Sequence, residues 1–578
     1  MKFGVLEINP AVSPAVLDTG SWDVPAAWRM VAALPVPYWA SLQQALAEDR
    51  PLPSVMGFTP HAPSRARTSG CTWFLAGLAD EQQVFVEIGD DGGARLLGEP
   101  VGSLHLDPGT RVSMYPTDAP VLDRFFRFVN PAKGPRALGA TVPRLGIGTR
   151  MTTAVWPAIW QAMRQGGFAA NAIQNSVREL NLLANLLAGE PPDANYAFNF
   201  GTIESGYTGS TFEGLWVAGV LDALKNDAPE GYGADADHIQ VKRGANGLAR
   251  AKTLLDASRY YTLFTLDVSD ILDYGAMWEP SRAAAEAYLD RKIPAADVRK
   301  GVLAYHAKAH RVGGQTYYLD TVTVGRLVGK YWDALDAVGE LAGYIAGFKD
   351  GQPFDLELSI DEHPADVATF DSLSTDEEVL FVIREMRRRG IPLTHVAPNF
   401  GVEKGVDYQC PDGLEGLARR AQAQSRICAD LGILVDFHSG DDLSVRTRQI
   451  IRQATGGHSQ FKISPSLQLL FAEVLVDHHP ELFLRWWNDA LGYARREAER
   501  GSYFAAQCLH EYEAGNHPAP SVHHAVFHHY SFAYVGRRDE RGQFLCREEF
   551  YTLSPAFYSD YQSRLASFLC ALAADLFE

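Results

Sequence analysis

Between residues 72 and 118 apolar and polar positions alternate in short runs, TWFLAGL, QQVFVEIG, ARLLG and TRVSMYP, separated by DDGG and DPG. A period of two punctuated by such turns predicts antiparallel strands. Upstream, PYWASLQQALAED predicts one helix. A Pro- and Gly-bearing linker at 130–137 closes this region. The chain is thus read as an N-terminal β-rich domain over 1–135 and a larger domain over 136–578.

After the linker the pattern changes to strand, loop, helix. Eight apolar or β-branched runs predict parallel strands: RLGIGTR (144–150), ADADHIQV (234–241), YTLFTLDV (261–268), FDLELSIDE (354–362), LTHVAPNF (393–400), GILVDFHSG (432–440), SQFKIS (459–464) and HHAVFHHYSF (523–532). Between them SVRELNLLANLL, EEVLFVIREMRRRG, GLEGLARRAQAQSRICADLG and SLQLLFAEVL carry apolar residues at helical spacing. Eight strands with intervening helices predict an α/β fold, a (β/α)₈ TIM-type barrel. The alternative, an open doubly wound sheet binding a dinucleotide, lacks its G-x-G-x-x-G turn after a strand.

Composition narrows the partners. The 578 residues are 46% hydrophobic and 21% charged, with a formal net charge of −18. That balance suits a globular enzyme and argues against binding nucleic acid or an anionic membrane. No apolar run reaches membrane-spanning length, and the start, MKFGVLEINPAV, does not read as a secretion signal. Six cysteines without a C-x-x-C pair argue against a zinc ribbon and for a reduced, cytoplasmic setting.

A barrel places its chemistry at the C-terminal ends of its strands. Those ends carry Arg150, Asp237 with His238, Asp361 with Glu362, Lys404, His438 with Ser439, and Lys462. In YGADADHIQ, a histidine that holds a divalent ion stands beside an acid able to move a proton. His238 and His438 are the first-choice metal ligands. In FDLELSIDE the strand period puts Glu357, Ser359 and Asp361 on one face, and inward carboxylates demand a partner or a metal. Lys462, inside an apolar strand, needs a partner too, and Lys404 is placed to clamp a substrate carboxylate. Such a set suits a metal site for a small anionic sugar. In HHAVFHHYSF, alternation puts His524 and His528 on one side, His523 and His529 on the other.

RLGIGTRM, NAIQNSVREL, GYGADADHIQ, FTLDVSD, LELSIDE, APNFGVEKGVDY, LGILVDFHSGDD and QFKIS, in this order, resemble the tagaturonate epimerase family, which interconverts tagaturonate and fructuronate. The likeness runs from about residue 144 to 475. It implies a divalent metal (Zn, Mn, Fe or Ni) on a barrel similar to class II aldolases. It also implies Asp237 as proton acceptor, His238 and His438 as metal ligands, and an acid of LELSIDE as proton donor. Glu357 is taken for that donor, with Asp361 and Glu362 as rivals.

Three departures stand out. Thr149 replaces an acid of the family pattern. HSGDDL brings Asp441 and loses a lysine at Leu443. Gln460 stands where a ligand histidine is expected. A Gln carbonyl coordinates transition metals more weakly than imidazole, and His458 and His524 are the alternative third ligands.

The two sugar acids differ at a hydroxyl-bearing carbon β to the ketone. Enolisation loosens the α proton, so retro-aldol cleavage and re-addition is the expected route, with repeated proton transfer as the alternative. The expected activity is that of a metal-dependent epimerase acting on a keto-hexuronate or related sugar acid. Its rivals are a class II-type aldolase and a non-catalytic sugar-acid binding protein.

Overall fold

The computed structural model describes residues 1–578 except 69, 91–94, 108, 151–152, 198–199, 280, 363–366, 368 and 403–404. Near the N-terminus, helices Val24–Ala32 and Val36–Ala47 pack on a five-stranded antiparallel sheet. Alternation explains the layering. Phe74, Ala76, Val84 and Val86 face those helices around Trp39, whereas Trp73, Leu75 and Phe85 on the other face join the main core. Three of the four alternating runs form strands here. The described part of the fourth, residues 95–98, does not, and the two edge strands, Phe58–Thr68 and Gly102–Asp107, lie outside the expected runs.

The rest is built on a closed barrel of eight parallel strands. In chain order they are β1 (Arg144–Gly148), β2 (Ala169–Ser176), β3 (Tyr232–Gln240), β4 (Leu263–Asp267), β5 (Asp355–Ile360), β6 (His395–Pro398), β7 (Leu434–Phe437) and β8 (Ser459–Ile463). Each pairs with the next, and β8 closes on β1.

Seven of the eight expected segments are barrel strands; HHAVFHHYSF is not. Its centre is a helix, Ala525–Tyr530, whose N-cap His524 accepts a hydrogen bond from the Val526 N–H. Val526, Phe527 and Tyr530 are fully buried, and Phe527 packs against Phe483 and Trp486. The four-residue spacing from Val526 to Tyr530 is helical. The missing strand is β2, AANAIQNS; it ends at Ser176, the first residue of the expected helix SVRELNLLANLL, and the chain then turns before Leu183. Of that segment only the end, from Leu183 onward, is helical, in Leu183–Ala188. β2 escapes detection because its apolar content is small residues and one isoleucine, while Asn171, Gln174 and Asn175 are buried.

The other expected helices form. Asp376–Arg388 starts in a capping box between Thr375 and Glu378, and Gly413–Asp430 is followed by Gly432 in the left-handed region at φ 65°. Among the described residues no helix is long and apolar enough to cross a membrane.

At the N-terminal end of the barrel, fully buried Arg144 reaches Asp355 at 3.2 Å. That carboxylate also accepts from the Leu138 and Gly139 N–H groups at 2.9 and 3.1 Å. This end is closed by a satisfied ion pair. The unsatisfied polarity lies at the other end.

Candidate active site

β8 supplies the centre of the C-terminal mouth. Lys462 is 4% exposed, and its Nζ lies 2.6 Å from Asp237 Oδ1, 2.8 Å from Thr265 Oγ1 and 3.2 Å from Glu357 Oε1. Asp235 and Asp436 stand farther off, at 3.4 and 3.8 Å. Gly146 makes room: a Cβ there would sit 2.4 Å from Gln174 Oε1 and 3.1 Å from Lys462 Cγ.

β3 contributes two adjacent residues to the same cavity, which a regular strand cannot do because neighbouring side chains point to opposite faces. The ladder with β4 slips between Ala236 and Ile239, and His238 adopts φ 53°. The left-handed conformation costs a non-glycine residue roughly 1–3 kcal/mol and marks a site where geometry outranks stability. Asp237 and His238 therefore both line the mouth. Ser439 after β7 (φ 69°) and Arg150 after β1 (φ 46°) share this conformation.

The two imidazoles meet edge to face with ring centroids 4.7 Å apart. His238 Nδ1 lies 3.5 Å from Asp267 Oδ2 and makes no hydrogen bond. His438 Nε2 is 3.0 Å from Glu357 Oε1, and its Nδ1 is 2.7 Å from Asp361 Oδ2. Two sets of donors gather here, His238 with Asp267 and Glu362, and His438 with Glu357 and Asp436. Within each, the ligand-type atoms lie within 4.8 Å of one another. An orphaned imidazole nitrogen and an excess of buried acids over Lys462 fit a divalent cation.

The acids divide by the direction in which their surroundings shift them. Burial pushes the Glu357 carboxyl up, and the neighbouring Asp436 pushes it further. Burial opposes ionisation of Asp237 too, but the charges of His238, Lys462 and His438 outweigh it and hold this carboxyl below the usual range. Asp361 is held down against burial by His438, and Asp436 against burial by His438 and Lys462. The mouth thus sets an acid whose pKa is lowered, Asp237, against one whose pKa is raised, Glu357, across the Lys462 ammonium. Environments that separate two carboxyls in this way provide an acceptor and a donor of protons.

Asp237, His238, Glu357, Asp361, His438, Ser439 and Lys462 converge as the sequence suggests. Arg150 stands at the rim, with Nε 3.1 Å from Ser464 Oγ and 3.4 Å from Glu179 Oε1. Lys404 falls outside the described residues.

Gln460 does not present a ligand atom to the imidazoles. It sits one layer deeper, paired in register with Arg144 and Asp436. Its amide nitrogen donates to Asp436 at 2.7 Å, and its carbonyl accepts from Asn171 at 3.2 Å. Neither alternative takes its place. His458 precedes β8 at the opposite end of the barrel, and His524 caps its helix against Trp487 and Tyr512. Of the histidine-rich end, His528 reaches the mouth loops, 3.6 Å from Asp442 Oδ1.

The residues that sequence reasoning passed over are Asp267, Asp436, Thr265, Gln174, Asn175 and Arg178. Asp436 carried a usable signal, since it stands two residues before His438 on one strand face. Gln174 donates to Asp237 at 3.4 Å, and Asn175 Oδ1 accepts from the Thr149 hydroxyl at 3.2 Å and from the Arg150 N–H at 3.0 Å. Both belong to the strand that the pattern hid.

Comparison with known proteins places this geometry. A family model described as tagaturonate epimerase matches residues 202–567. A tagaturonate/fructuronate epimerase of Thermotoga maritima is 27% identical over 390 residues, 66% of this chain and 68% of that protein. Among solved structures, a glycerol complex of a fructuronate-tagaturonate epimerase from Cohnella laeviribosi superposes with TM-score 0.64 at 20% identity. The match covers 93% of this chain and 99% of that one. The native form of that protein gives 0.63. At this identity the structural likeness speaks for the fold.

Proposed function

This chain belongs to the tagaturonate epimerase family and is an epimerase-type isomerase of hexuronates; from that premise we propose that it acts on a keto-hexuronate with the help of a divalent metal. The observation that carries the reading is the convergence of Asp237, His238, Glu357, His438 and Lys462 on one cavity, achieved through a left-handed histidine. His238, Asp267 and Glu362 would hold the cation, with the His438 imidazole alongside. Bound there, it would polarise the ketone and hydroxyl oxygens of the substrate.

Asp237 accepts the proton of the hydroxyl on the carbon to be inverted. The bond between that carbon and its neighbour next to the ketone opens, with its electron pair drawn toward the ketone. The resulting aldehyde turns its other face and the bond re-forms. Glu357 then gives its proton to the new alkoxide, and the proton held by Asp237 passes back to Glu357 through the Lys462 ammonium that bridges them, which resets the site. Lys462, hydrogen-bonded to both acids, keeps them apart in protonation. The enclosed space beside Lys462 is about 20 Å³, room for about one water. A six-carbon acid therefore requires the loops bearing Ser439 and Ser464 to part, and their closure would keep the aldehyde from escaping.

The test is a turnover assay on tagaturonate and fructuronate with metal analysis of the purified protein and an aldehyde trap. Interconversion that a chelator abolishes and added metal restores supports the reading. Stoichiometric release of trapped aldehyde makes the protein an aldolase instead, and binding without turnover makes it a sugar-acid binding protein.

A further inference from the structure

The substrate proposed above is an anion, and the mouth that receives it is dominated by acids. Some cation has to meet the carboxylate. Lys462 cannot turn outward: its side chain is 5% exposed, and its ammonium is shared among Asp237, Thr265 and Glu357. Arg150 is 13% exposed and committed to Ser464, Glu179 and, at 3.5 Å, Gln468.

Arg178 differs from both. It lies in the turn that follows β2, and the Val177 N–H of that turn donates to the Asp237 carbonyl at 3.0 Å. Its side chain is 24% exposed. Among the described residues its guanidinium makes one hydrogen bond, from Nη2 to Glu362 Oε2. The other N–H groups of a planar fork built for carboxylates are left over. Glu362 belongs to the donor set of His238, so the fork opens on the edge of the proposed metal site. The partner it already holds is itself a carboxylate, which shows that the group it faces is of the right chemistry.

We infer that Arg178 receives the substrate carboxylate and is the residue that selects a hexuronate over an uncharged ketose. The inference rests on the function proposed above and adds to it the origin of charge selectivity. The fork on one side and the imidazoles on the other fix the two ends of the sugar, so the carbon between them is presented to Asp237 in one orientation.

The experiment compares wild type with Arg178→Gln and Arg178→Lys. Calorimetric binding and kcat and KM are measured for tagaturonate and for tagatose, its uncharged counterpart. A charge-assisted hydrogen bond of the usual strength corresponds to a roughly 10- to 100-fold loss of tagaturonate affinity in Arg178→Gln. The loss should appear mainly in KM, leave tagatose binding unchanged, and be partly recovered in Arg178→Lys. A structural role would weaken both sugars alike. Unchanged preference for tagaturonate over tagatose in Arg178→Gln overturns the inference. If wild type itself neither binds nor turns over tagaturonate, it is the proposed function that fails, independently of Arg178.

Discussion

Replacing Lys462 by methionine tests how the mouth is held together. The side chain keeps its length and loses the ammonium that faces Asp235, Asp237, Glu357 and Asp436, while the His238 and His438 imidazoles stay in place. Burial pushes Asp235 and Glu357 up, whereas Asp237 and Asp436, at 2.6 and 3.8 Å from the ammonium, are held down. At an effective dielectric of about 20, a contact of about 4 Å is worth about 4 kcal/mol, most of it offset by desolvation of the ammonium in the native protein. Removing one partner of a buried pair removes that offset and costs about 3–5 kcal/mol.

The cost should depend on pH in a definite direction. In wild type the Asp237 pKa is depressed, so its stabilisation is present above the unfolded value and lost as pH falls. Without Lys462 the Asp237 pKa rises relative to wild type, so the deficit of the variant grows as pH rises through its new value, where the unpaired carboxylate ionises. Urea unfolding with chelator present, at about pH 5 and about pH 8, should show a deficit of about 3–5 kcal/mol at the higher pH and a smaller one at the lower. A deficit below about 1 kcal/mol, or one equal at both values, would refute the claim that this ammonium neutralises the buried acids.

Other changes separate chemistry from scaffold. Asp237→Asn should lower turnover by roughly 100- to 10,000-fold while metal content stays that of wild type; His238→Ala should lose the metal, and normal turnover in both variants would refute the site assignment. Gln460→Leu should leave metal binding intact and cost about 1–3 kcal/mol in urea unfolding, because Asp436 and Asn171 lose their partner; loss of metal from this variant would restore Gln460 as a ligand. Burial and the adjacent Asp442 push the Asp441 carboxyl up to about 7. Its folded pKa exceeds the unfolded one, so its contribution to stability is complete below about pH 4 and fades as pH rises toward about 7. Thermal melts across that window should be flatter for Asp441→Asn than for wild type, and equal slopes would count against the shift.

How far the chain could be read depended on which signal each segment carried. β5 and β7 announce themselves through dense apolar runs, and the period of two correctly set Glu357 and Asp361 toward one side. β2 carries no such run, because small and amide side chains fill its share of the barrel interior. Its Gln174 and Asn175 were invisible for the same reason. The histidine-rich end misled in the opposite sense. Its Val, Phe and Tyr favour strands locally, but packing around Trp486 decides for a helix.

By itself the sequence determined the parts: a barrel's worth of apolar strands, acids and histidines at their ends, and a buried lysine that had to find carboxylates. Those follow from local periodicity and from the cost of burying charge, which each segment states alone. Only the tertiary structure decided which groups meet. The slip between Ala236 and Ile239 turns His238 beside Asp237, ring closure brings β8 against β1, and Lys462 then spans to Asp237 and Glu357. Closure also sends Gln460 to a deeper layer and gives Arg178 its carboxylate. Layer and rotation are properties of the closed ring, and no single strand encodes them.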